Sequence, residues 1–125
     1  MSDTPHPVSL DTTRLDSYRD LADEQGELLQ AIIDAFVSAT PDQLAAAEAA
    51  TATGDVAALK RIAHDLKGSC GAIGAVGMMA SASGLEQAVA AGDRAMIGSG
   101  VAALRPEFDR VTVLLAEYVR GLKSR

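Results

Sequence analysis

The chain has one cysteine, no tryptophan, two phenylalanines, two tyrosines and four prolines among its 125 residues. A single thiol, Cys70, excludes an internal disulfide. One cysteine and two histidines are too few for a Cys/His zinc centre. Basic residues are also scarce: 11 Lys+Arg against 17 Asp+Glu leave a net charge of −6. No run of Lys and Arg supplies the basic face that nucleic-acid binding requires. No apolar stretch approaches the roughly 20 residues of a membrane span. The opening residues, Met1 to Leu10, are polar and include Pro5 and Pro7, unlike a secretory leader. With the lone thiol, this points to a reducing compartment, and a cytoplasmic location is expected.

What is present is alanine: 24 residues, within an apolar fraction of 48%. Ala is the best helix former, and its small side chain lets helices approach closely. A sandwich or barrel would call for β-branched and aromatic residues instead. The pattern therefore predicts an all-α fold in one domain, residues 10–125, preceded by a flexible tail over residues 1–9. His6, between Pro5 and Pro7, belongs to that tail and is expected to be solvated.

Along the chain, apolar residues recur at spacings of three and four. A short helix is expected from Asp11 to Ala22 and a second from Glu27 to Ala39. Thr40-Pro41 with Gln43 reads as a capping box, predicting a new helix from Thr40 to about Thr53. Gly54-Asp55 and Gly92-Asp93 are stop-start signals, Gly suiting the left-handed position after a helix and Asp the N-cap. Between them lie a helix with Val56, Leu59, Ala63, Leu66 and Cys70 on one stripe, and another with Val76, Met79, Leu85 and Val89. The last helix runs to about Leu122, with a break or kink expected near Leu104 from Pro106 and further weakening at Gly98 and Gly100. Short connections between singly striped helices predict an antiparallel four-helix bundle from Thr40 onward, with one or two additional N-terminal helices covering one end or side. Met78, Met79 and Met96 are expected to fill gaps in the core, and Tyr18 and Tyr118 to cap it with solvated hydroxyls.

One segment carries chemistry: Ala63-His64-Asp65-Leu66-Lys67-Gly68-Ser69-Cys70-Gly71. At about 100° per residue, Lys60, His64, Lys67, Gly68 and Gly71 share about 100° of arc, on a face turned away from the apolar stripe. Gly68 and Gly71 each give up about 1 kcal/mol relative to Ala inside a helix. Omitting side chains beside an exposed imidazole admits another surface. An accessible imidazole, a cation one turn away and a cleared approach suit a nucleophile that accepts a phosphoryl group. If the histidine helix and its successor turn near Ala75, residues at equal height have numbers summing to about 150, which sets His64 level with Glu86. A carboxylate there could take the Nδ1 proton and leave Nε2 free to attack. Glu86 also reads as an ordinary surface acid, and Gln87 is the alternative orienting residue.

The run His64-Asp65-Leu66-Lys67-Gly68-Ser69, followed by Gly74, resembles the signature of histidine-containing phosphotransfer (HPt) domains. The likeness extends from about Leu28 through the last helix and includes Leu85-Glu86 and both Gly-Asp breaks. The resemblance implies that His64 is phosphorylated, that Lys67 stabilises the phosphoryl group, that Gly68 admits the partner and that Ser69 is a supporting polar residue. It implies a relay between response-regulator receiver domains and a hybrid histidine kinase, with the chain a monomer and not an enzyme with its own ATP site. No cofactor is expected, Mg²⁺ coming only from the receiver. Two other readings compete: a histidine kinase dimerisation-type domain, which would have Glu where Asp65 stands, and a non-phosphorylated helical adaptor, which would leave Gly68 and Gly71 unexplained.

Overall fold

A computed structural model of the chain describes residues 9–21 and 26–123. His6 and most of the expected tail, with Ala22 at the end of the first expected helix, lie outside the described residues. Ser9, the last residue of that tail, is buried, as is Leu10. Five helices follow: α1 (Thr13–Leu21), α2 (Glu27–Thr53), α3 (Val56–Ile73), α4 (Val76–Ala91) and α5 (Arg94–Lys123). No strand occurs among the described residues.

Helices α2 to α5 form an antiparallel ring in which α3 packs on α2 and α4, and α5 on α4 and α2, while α1 lies across α2 and α3. Two-residue links join the ring. Gly54, Gly74 and Gly92 end α2, α3 and α4 at φ 73°, 84° and 67°. Asp55 and Asp93 then cap the next helices, their carboxylates accepting from Ala58 N and Met96 N, each at 3.1 Å. The core is built on Leu44, Leu59, Leu66, Leu85, Leu104 and Leu115, with Ala47, Ala63, Ala82 and Ala88 at the close approaches. Among the described residues it holds one aromatic pair, Phe36 on Phe108, ring centroids 5.9 Å apart.

Three expectations are corrected. The break at Thr40-Pro41 is absent, and α2 runs through it for 27 residues. Thr40 is buried and its hydroxyl donates to the Phe36 carbonyl at 2.7 Å instead of capping a new helix. Phe36, Thr40, Leu44 and Ala47 form one buried stripe whose packing outweighs the roughly 3 kcal/mol of an internal proline. The bundle therefore begins at Glu27, and among the described residues α1 alone is additional. Likewise α5 does not break near Leu104: it continues through Pro106, which is exposed along with Ala102, the residue whose carbonyl loses its donor to the ring. Finally, Val56 and Met96 are 51% and 58% exposed and take no part in the core.

The tyrosine hydroxyls are bonded to protein groups, not to solvent alone. Tyr18 donates to the Ala72 carbonyl at 2.7 Å and Tyr118 to Asp16 Oδ1 at 2.6 Å, tying α1 to the end of α3 and to α5. Burial, reinforced by Asp16, pushes the Tyr118 hydroxyl up to about 12. The α3–α4 turn is clamped as well: the Asp11 amide donates to the Gly74 carbonyl at 2.8 Å. A Cβ on Gly74 would collide with the Asp11 carbonyl, so this position needs glycine for space as well as for its positive φ.

Candidate functional site

The site is assembled by the α3–α4 hairpin. Its clamped turn fixes the register, so His64, ten residues before Gly74, and Glu86, eleven residues after Ala75, meet at one height. Helix α4 carries a single charged side chain in its sixteen residues, Glu86. That side chain reaches α3 between Lys67 and His64. Its Oε1 accepts from Lys67 Nζ at 2.9 Å, and its Oε2 lies 3.4 Å from His64 Nδ1. The Lys67 ammonium holds the Glu86 carboxyl below its ordinary range, opposed by partial burial and assisted to a lesser degree by His64.

The imidazole itself stands in solvent, its side chain 72% exposed against 26% for Glu86. The reason is local. Leu59, Ala63, Leu66 and Cys70 commit the opposite side of α3 to the core. Cys70 is fully buried there, and burial pushes its thiol up to about 12, which makes it inert as a nucleophile. With a carboxylate on the Nδ1 side, the tautomer with the proton on Nδ1 is favoured and the Nε2 lone pair is presented outward.

Gly68 lies on the same face, one turn on. A Cβ there would meet nothing within 4 Å, so the space beside His64 is open surface. Gly71 differs. It is half-buried and its Cβ would touch Met79 Sδ at 3.4 Å, so its size bears on α3–α4 packing rather than on open surface. Ser69 donates to the Leu66 carbonyl at 3.2 Å, a bond to the preceding turn. Lys60 is exposed one turn before His64 and has no ion-pair partner among the described residues. Gln87 is exposed and borders, with Lys60, Val56, Val89 and Ala90, a shallow groove of about 510 Å³ beside Glu86. It is Glu86, not Gln87, that the structure brings to the imidazole.

Two features escape the sequence. The first is the Lys67–Glu86 pair: spacing assigns Lys67 to a ligand and Glu86 to His64, whereas one carboxylate serves both. The height rule that brings Glu86 to His64 extends to Lys67, one turn away, and could have revealed it. The second is an apolar groove of about 280 Å³ between α2 and α3, lined by Ile32, Ala35, Phe36 and Ala39 opposite Ser69 and Ala72. On the α2 side its lining runs from Ile32 to Gln43, across the Pro41 position where the sequence predicts a break. Among the described residues no group of His, Cys, Asp and Glu is arranged to hold a metal ion, and no helix is long and apolar enough to cross a membrane.

Comparison with known proteins adds two findings. The family model described as Hpt domain matches residues 16–113. Among solved structures, the chain is similar to histidine-containing phosphotransfer protein B (HptB) from Pseudomonas aeruginosa PAO1, with a TM-score of 0.81 and 25% identity over 90% of this chain and 96% of that one. No curated protein sequence matches.

Proposed function

The chain belongs to the Hpt domain family, and from that premise we propose that it is a phosphorelay intermediate that carries a phosphoryl group on His64 between receiver domains. Family membership and the likeness to HptB support a phosphotransfer role. The observation that carries the finer reading is the exposed imidazole with a carboxylate on its Nδ1 side and open space at Gly68.

The mechanism follows from these atoms. A receiver bearing an aspartyl phosphate docks over Gly68, with the apolar α2–α3 groove on one side of the site and Lys60 on the other. Nε2 of His64 attacks phosphorus in line. The N–P bond forms as the acyl P–O bond breaks, and the receiver's aspartate leaves as a carboxylate. Little covalent work is asked of the protein, so position and charge dominate. Lys67 is one turn away and turns from Glu86 toward the incoming phosphoryl oxygens. Lys60 adds positive charge on the same face, which suits an acidic phosphoacceptor site despite the chain's net charge of −6. A second receiver later takes the group by the reverse step. Mg²⁺ belongs to the receiver's half of this exchange.

The chain acts as a carrier in the cytoplasm and as a monomer, with hybrid kinase and response-regulator receivers as partners. Because α2 to α5 complete a bundle within one chain, the fold has no need of the second copy that a kinase dimerisation domain requires. The test is phosphoryl transfer from a phosphorylated receiver to the wild type and to His64→Gln. Labelling of the wild type alone is expected, and equal labelling of both would overturn the proposal.

A further inference from the structure

We propose that Glu86 sets how readily His64 releases its phosphoryl group, because its carboxylate retains the Nδ1 proton on the phosphorylated ring. The inference rests on the phosphotransfer reading above and concerns the lability of the carried group.

Glu86 is the one charged residue of α4, and its Oε2 lies 3.4 Å from the imidazole nitrogen that does not take phosphorus. The other charged groups near the ring are on α3 itself: Lys60 and Arg61 one turn before it, Lys67 one turn after it, and Asp65 next in the chain. On the α2 side, the residues bordering α3 beside Ser69 are Ile32, Ala35, Phe36, Ala39, Thr40 and Gln43, none of them ionisable. Glu86 is therefore the anion closest to that proton, and at 26% exposure it is partly sheltered from solvent screening.

Proton and electron accounting gives the consequence. A neutral imidazole that attacks through Nε2 keeps its Nδ1 proton, so the product ring is a phosphorylated imidazolium. A carboxylate beside that proton stabilises the cation. When the group departs, an incoming oxygen attacks phosphorus and the N–P electron pair returns to Nε2, and the ring leaves as neutral imidazole. If Nδ1 had lost its proton, the leaving group would be imidazolate, which is far more basic and a far poorer leaving group. A neutral amide at position 86 could orient the ring but would not hold the charge. A carboxylate makes the carrier quick to release.

The experiment loads the wild type and Glu86→Gln with phosphoramidate, a small donor that needs no docking, then follows loss of phosphoryl in buffer from pH 5 to 9. Above neutrality the variant is expected to lose it about fivefold more slowly, the size of one unit charge acting at about 4 Å in water-like surroundings. At the acid end, where both phosphorylated rings are protonated, the rates are expected to converge. Equal rates throughout, or one constant ratio at every pH, would overturn the inference; the constant ratio is what a purely structural effect of the substitution produces. Wild-type protein that takes phosphoryl from phosphoramidate but never from a receiver would instead overturn the relay reading and leave this test intact.

Discussion

Replacing Gly68 with alanine should make the protein more stable and less able to transfer phosphate. Glycine inside a helix costs about 1 kcal/mol relative to alanine, chiefly through backbone entropy. The new methyl group would meet nothing within 4 Å in the free chain, so no clash offsets the gain. For a domain of this size, about 1 kcal/mol raises the melting temperature by roughly 4 °C. In the complex the same methyl group stands between His64 and the receiver. A displacement of about 1 Å from in-line geometry is enough to slow transfer by roughly 10²-fold. Gly84→Ala is the control. It is also exposed in mid-helix with nothing within 4 Å, and it lies two residues from Glu86, on the other side of α4. It should gain similar stability and leave transfer unchanged. Thermal melts and single-turnover transfer from a phosphorylated receiver read the two effects separately. If Gly68→Ala is stabilised yet transfers at the wild-type rate, the glycine does not admit a partner and the docking argument fails.

Two further predictions concern the frame around the site. Gly74→Ala combines a positive φ with a collision against the Asp11 carbonyl, and should cost more than about 1–3 kcal/mol, the usual range for a residue held in a strained backbone conformation; urea denaturation measures it, and a neutral result would refute the clamp at the α3–α4 turn. Burial, with the hydrogen bond to Asp16, pushes the Tyr118 hydroxyl up from 10.0 to about 12 in the fold. A raised folded value means the stabilisation is complete below about pH 10 and is lost as pH climbs through about 12. Melts between pH 9 and 12 should show a decline in the wild type that Tyr118→Phe lacks, and parallel profiles would contradict it.

Much of the site was legible from local rules. Gly54, Asp55, Gly92 and Asp93 act through their own backbone and nearest neighbours, so their signals survive in the fold. The common rise of antiparallel helices was enough to set Glu86 level with His64. The failures have one cause, local propensity overruled by packing. Thr40, Pro41 and Gln43 form a sound capping box on their own terms, but Thr40 lies on the stripe that buries Phe36 and Leu44, and burying that stripe outweighs the cap. The same holds at Pro106, which Leu104 and Phe108 flank in the core. The sharing of Glu86 between His64 and Lys67 is not legible from pairing residues one to one, because a carboxylate has two oxygens and each serves a different side chain.

The central claim is that Nε2 of His64 carries the phosphoryl group while Nδ1 keeps its proton toward Glu86. Protein labelled with ¹⁵N at histidine and phosphorylated by a receiver can be examined for coupling between ³¹P and the ring nitrogens. Coupling to Nε2 of His64, a proton retained on Nδ1, and no signal in His64→Gln are expected. Phosphorus on Nδ1, or phosphate that persists in His64→Gln, would contradict it.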